Sequence, residues 1–176
     1  MPLIRNSAFV EDDWRHLTLD EPLPERDDVV VPFARLLRDW ETLSNHDGRL
    51  GVVFDNAERA SALTLFLPRL GLVILTFPNF TDGRAYSIAR QLREMGYSRE
   101  LRAAGNVLPD QIQFMRQVGF DSFAVSDRFG PAVWAKAHSQ ISLSYQRGFV
   151  RWPSEAEVWS ERHREADPWI EQPHAG

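Results

Sequence analysis

Apolar residues along this chain change their spacing several times, and each change predicts an element. Phe33, Leu36, Leu37 and Trp40 stand at i, i+3, i+4 and i+7. That is one face of a helix running to about His46 and closed by Asp47-Gly48. Leu50 to Phe54 is then a continuous apolar run, the pattern of a strand covered on both faces. Glu58 to Arg69 reads as a mostly apolar helix and Leu72 to Phe77 as a second buried strand. Arg84 to Met95 is amphipathic, with Ala85, Ile88, Ala89, Leu92 and Met95 on one side. Leu101 to Ala104 is a third strand. Pro109 opens a helix to Val118, where its missing N–H costs least. Ser122 to Val125 is a fourth strand, and Pro131 opens a helix to about Tyr145.

Four consecutive strand–helix units predict an α/β domain with a parallel sheet and right-handed crossovers. Strands in sequence order make half of a (β/α)8 barrel; a reshuffled order makes an open doubly wound sheet. Pattern alone leaves both open, and the shortness of the units favours the curled form. The single domain covers 1–150, with an amino-terminal arm at 1–31. Leu3-Ile4 and Ala8-Phe9-Val10 flank Arg5-Asn6-Ser7, which reads as a short hairpin. An acidic, proline-bearing stretch follows, ending in Val29-Val30-Val31, a further short strand. Residues 151–176 form a tail, with a capping box at Ser154 to Glu157 predicting a helix to about Glu165 and a frayed end beyond Asp167.

Composition narrows the function classes. A chain of 176 residues with 43% hydrophobic and 26% charged residues suits one globular domain. The formal net charge of −5 argues against a nucleic-acid partner, which needs a basic face. No stretch approaches the roughly 20 apolar residues of a membrane span, and no signal peptide is visible, so a membrane partner is not expected and a cytoplasmic location is. There is no cysteine, which removes disulfides, a catalytic thiol and thiolate-bound clusters within this chain. Lys136 is the sole lysine, and the remaining basic residues are arginine. Arginine binds anions bidentately, although base composition of a genome produces the same bias.

In parallel α/β folds, ligands sit beyond the carboxyl ends of the strands. Those ends carry Asp55, Asp82 and Arg84, and Asp110 with Gln111; Arg102 lies within the third strand. These six are the candidate ligand-binding residues, able to hold a small anion or do acid–base work. Each has a plainer use. Asp55, Asn56 and Asp82 precede helices and can cap them; Asp110 suits a first helical turn; Arg84 can simply be solvated. Arg102 alternates with Leu101 and Ala103, so it shares a face with Ala104. A buried arginine there must meet an acid or an anion, and Asp82 or Asp55 are the expected partners, flooring an anion site. The five histidines are scattered without metal-site spacing, so no metal is expected. No nucleotide-binding or hydrolase motif is present, and the cofactor, if any, is left unknown.

The run Phe77-Pro78-Asn79-Phe80-Thr81-Asp82-Gly83-Arg84-Ala85-Tyr86-Ser87-Ile88-Ala89-Arg90 carries an F-x-x-F-x-D-G-R-x-Y-S-x-A-R signature. With Glu100-Leu101-Arg102-Ala103, Asp110-Gln111, Gly119-Phe120-Asp121, and Phe9 to Trp14 near the start, it resembles the bacterial family of unknown function numbered 934, over roughly residues 1–150. The resemblance implies an acid where Asn106 stands and a basic residue where Pro109 stands. It also implies a link to sulfite reduction, since such proteins are commonly labelled oxidoreductases of that process. A six-electron reduction needs a redox cofactor, and no cysteine or nucleotide motif here supplies one. The expectation is therefore an accessory protein of sulfite reduction and sulfur assimilation, with sulfite reductase components as partners. The alternative is a small-anion-binding module or enzyme at the strand ends. A homodimer completing the barrel is a further expectation, with capping of a sheet edge by the arm as its alternative.

Overall fold

The computed structural model describes residues 2–139 apart from Ser7 and Phe80. Tyr145, the tail from 151 with its capping box, and Trp152, Trp159 and Trp169 lie outside the described residues. Those described form one eight-stranded sheet and five α-helices. The strands are β1 (Leu3–Arg5), β2 (Ala8–Val10), β3 (Arg15–His16), β4 (Val29–Pro32), β5 (Leu50–Phe54), β6 (Leu70–Phe77), β7 (Glu100–Gly105) and β8 (Ser122–Ala124). The helices are α1 (Phe33–Arg38), α2 (Trp40–Ser44), α3 (Arg84–Glu94), α4 (Ile112–Gln117) and α5 (Pro131–Ser139). Among the described residues no helix is long and apolar enough to cross a membrane.

The sheet order is β2-β1-β8-β7-β6-β5-β4-β3. From β3 to β8 all neighbours are parallel, and from β4 onward they follow chain order. This is the order of half a (β/α)8 barrel. Helices of a doubly wound sheet cover both faces; here Leu36, Leu43, Ile88, Leu92, Met115 and Trp134, from all five helices, share one core with Val52, Val73, Leu75 and Leu101. The other face carries a smaller cluster of Trp14, Val30, Leu72 and Ile74. The parallel run holds two more strands than the four expected, β3 and β4, and α1 and α2 follow β4, while no α-helix follows β5.

The amino-terminal hairpin forms as predicted, turning at Asn6 with a positive φ of 50°. It adds β1 antiparallel to β8 and so covers that edge. The chain then crosses to the opposite edge. Eight strands leave 8 − 1 = 7 gaps, about 34 Å along the sheet at about 4.8 Å each. From Val10 at the end of β2 to Arg15 at the start of β3 there are 15 − 10 = 5 residue steps, which reach at most about 18 Å. The sheet must therefore be curled, and residues 11–14 run across its mouth as a strap.

Two helix expectations are corrected. The helix from Phe33 breaks at Asp39, whose ψ of 22° leaves the helical region while Arg38 holds its carboxylate, and it ends at Ser44 rather than His46. The stretch 58–69 is a 3-10 turn at Ala60–Leu63 followed by turns. Thr64 donates its hydroxyl to the Ser61 carbonyl, competing with a regular ladder, and Pro68 has no N–H to give.

Candidate functional site

The carboxyl ends of β5 and β6 bring three of the expected groups together. Asp55 folds back to accept the Ala57 N–H at 2.8 Å within a turn; it caps no helix, since the 3-10 turn that follows begins at Ala60 with Arg59 before it. Asp82 accepts the Arg84 N–H at 3.2 Å at the start of α3. The Arg84 guanidinium forks onto the same carboxylate, Nε at 3.0 Å and Nη2 at 2.7 Å. Those side-chain bonds, then the backbone bond, hold the Asp82 carboxyl far below the usual range, with help from the Asn56 amide beside it. Asn56 is buried, yet its Nδ2 makes no hydrogen bond of good geometry among the described residues. A groove of about 620 Å³ opens between the 56–61 turn and α3, lined by Asn56, Arg59, Ser61, Arg84, Ser87 and Gln91 among others. That size suits a small ligand. The Arg84 side chain is 60% exposed.

Asp110 and Gln111 stand apart from this groove. They open the 3-10 turn Pro109–Gln111 before α4, and Gln111 accepts the Leu108 N–H at 3.4 Å. Asp110 is felt instead by Tyr86 on α3: burial first, then the Asp110 charge, raise the Tyr86 hydroxyl above its ordinary pKa. Asn106, at the position where an acid was expected, donates Nδ2 to the Pro78 carbonyl at 2.6 Å. Among the described residues no group of three or more His, Asp or Glu is placed to hold a metal ion.

Arg102 is buried, at 1% exposure, and ion-paired, but with partners other than those expected. Asp82 and Asp55 are engaged at the rim. Arg102 turns toward the amino-terminal half of the sheet, where Nε and Nη2 meet Glu100 Oε1 at 3.1 and 2.9 Å and Nη1 meets Asp12 Oδ2 at 2.8 Å. The register explains the cluster. Arg5, Ser122 and Arg102 stand side by side on β1, β8 and β7. Glu100, two residues before Arg102, shares their face and accepts from all three, with Ser122 Oγ at 2.6 Å and Arg5 Nη2 at 2.9 Å. Burial alone would raise the Glu100 carboxyl; the Ser122 hydroxyl and the two arginines outweigh it and leave its pKa lowered. Burial likewise opposes Asp12, whose pKa is nonetheless lowered by the charge and hydrogen bond of Arg102, then by His16 and the Trp14 N–H.

Sequence reasoning missed Asp12, Glu100, Arg5 and Ser122. The Glu100–Arg102 spacing of two on a strand was a readable signal of a shared face. The other members come from elements whose neighbours only topology reveals.

Fold and site together define an α/β domain with a one-sided, sequentially ordered sheet and a polar groove at its carboxyl rim. The chain belongs to the family described as bacterial protein of unknown function (DUF934), whose model matches residues 51–154, more than half of its length. That span holds β5 to β8, α3 and the groove; the strap lies before it. No curated protein matches the chain.

Proposed function

We propose that this protein is a cytoplasmic accessory of sulfite reduction that binds a small oxyanion at the rim groove and carries no electrons itself. The observation that carries the binding reading is Arg84. Its guanidinium is held in one orientation by Asp82, stays open to solvent, and borders a groove supplied with hydroxyl and amide groups from Ser61, Ser87, Gln91 and Asn56. An anchored arginine is suited to an oxyanion, because part of the ordering cost of the side chain is already met, and Arg59 on the groove wall sets a second guanidinium against the carboxylates of Glu58 and Glu94 that also line it. The link to sulfite reduction rests on the family resemblance, and the lack of cysteine supports an accessory over a reductase. Sulfite reductase components are the partners this reading implies.

Titration calorimetry with sodium sulfite and sodium sulfate tests the binding. Saturable heat in the wild type, weakened about tenfold or more in Arg84→Ala, is expected. Equal binding by the two proteins overturns the site. The accessory role is read separately, by adding purified protein to a sulfite reductase assay. A rate unchanged over a wide range of protein concentration overturns it.

A further inference from the structure

Arg102 is a cation sealed on the concave face, and one of its three side-chain hydrogen bonds goes to an irregular piece of chain. Glu100 lies on the same strand and is fixed. Asp12 belongs to the strap, where residues 11–14 have no regular structure. The Asp12 side chain is 29% exposed, and its other contacts are long: the Trp14 N–H at 3.4 Å and His16 Nε2 at 3.3 Å. Next to it, Arg5 uses Nη2 on Glu100, while its Nε is buried with no hydrogen-bond partner among the described residues.

As folded, two guanidiniums face two carboxylates. With Asp12 withdrawn, the same two guanidiniums face Glu100 alone, Arg102 Nη1 loses its acceptor, and the cluster carries surplus positive charge in a buried place. Such a group strongly favours a new anion over remaining bare.

We infer that this cluster is a second oxyanion site, plugged by the Asp12 carboxylate and opened when the strap lifts. The ligand is a small free oxyanion of sulfate type, which takes the place of Asp12 on Arg102 Nη1, with the unpartnered Arg5 Nε on the same face as a further donor. The strap is then an internal competitor: it lowers apparent affinity by the fraction of time it is closed, and a bound anion holds it open. This site lies toward the amino-terminal half of the concave face, separate from the Arg84 groove, and does not depend on it.

The test follows arginine Nε–H signals by NMR in 15N-labelled full-length protein during titration with sodium sulfate at constant ionic strength. Arg5 and Arg102 signals are expected to shift saturably in Asp12→Ala, with a midpoint at least tenfold lower than in the wild type. Asp12→Asn, which keeps the shape and removes the charge, gives the same gain should the alanine variant fail to fold. In the wild type the Trp14 indole signal shifts together with the two arginines. Arg84→Ala leaves all of these responses in place, which separates this site from the groove. Signals that do not saturate in the Asp12 variants, or midpoints equal to that of the wild type, overturn the inference.

Discussion

Arg35, Arg69 and Arg93 send their N–H groups to backbone carbonyls: Arg35 to Thr18, Arg69 to Ser44, His46 and Gly48, and Arg93 to Tyr97, Arg99 and Gly119. These side chains satisfy loop carbonyls that would otherwise face the interior. Part of the arginine richness is therefore architectural, and Arg84 differs from these three in lying exposed beside a groove. At the same scale, the partly buried strap network is acid-sensitive. Asp12 and Glu100 both have folded pKa values below their ordinary 3.8 and 4.5. Each thus contributes stability that is present above its ordinary value and is lost as pH falls through the depressed folded value. Thermal melts from pH about 6 to about 3 are expected to show the wild type declining steeply below its Glu100 ordinary value, and Glu100→Gln declining less. Parallel curves would remove Glu100 from the account. The charge of Arg102 and its need of an acid were legible from alternation within β7, and Glu100 two residues away was a readable partner, whereas Asp12 was not. A carboxylate 90 residues away in sequence is chosen by the path of the chain, and no local pattern encodes that path.

Elements with one dominant period were legible to within a residue or two. The apolar runs of β5 and β6 and the amphipathic face of α3 read correctly, apart from Met95, which lies just past the helix and is exposed, because burial on known sides leaves a direct trace in the sequence. The 58–69 stretch misled because its leucines suit several backbone shapes, and Thr64 and Pro68 decided against the helix. Element ends carry their own constraints. Gly105 closes β7 with φ +98°, and a Cβ there would stand 2.6 Å from the Phe77 carbonyl oxygen. That tight corner sets the Gly105–Asn106 turn against the end of β6, where the Asn106 N–H also reaches Phe77 O at 2.8 Å. Gly105→Ala is expected to cost about 1–3 kcal/mol in urea denaturation, from backbone strain and the close approach together. A loss within about 0.5 kcal/mol would mean that this corner is readily rearranged.

At the scale of the whole molecule, the strap links the two edges of the curled sheet. The edge strands β2 and β3 are three and two residues long, and short edges offer little backbone to another strand. The arm thus takes the edge-capping role that the sequence had offered as the alternative to a barrel-completing dimer. The strap holds through two neighbouring side chains. Asp12 pairs with Arg102, and Trp14 lies at 6% exposure in the concave cluster with Arg49 stacked 4.7 Å above its ring. Four residues crossing an open mouth cannot lift at one of these points and stay fully seated at the other. Trp14→Ala alone is expected to cost about 3–5 kcal/mol, the range for a large buried aromatic. If that loss already frees the strap, removing Asp12 in the same chain costs less than removing it from the wild type. A double-mutant cycle of Asp12→Asn and Trp14→Ala is therefore expected to show a coupling of about 1 kcal/mol or more, with the double variant less destabilised than the sum of the singles. Additivity within about 0.3–0.5 kcal/mol would show the two anchors acting independently, and the strap would then not lift as a unit.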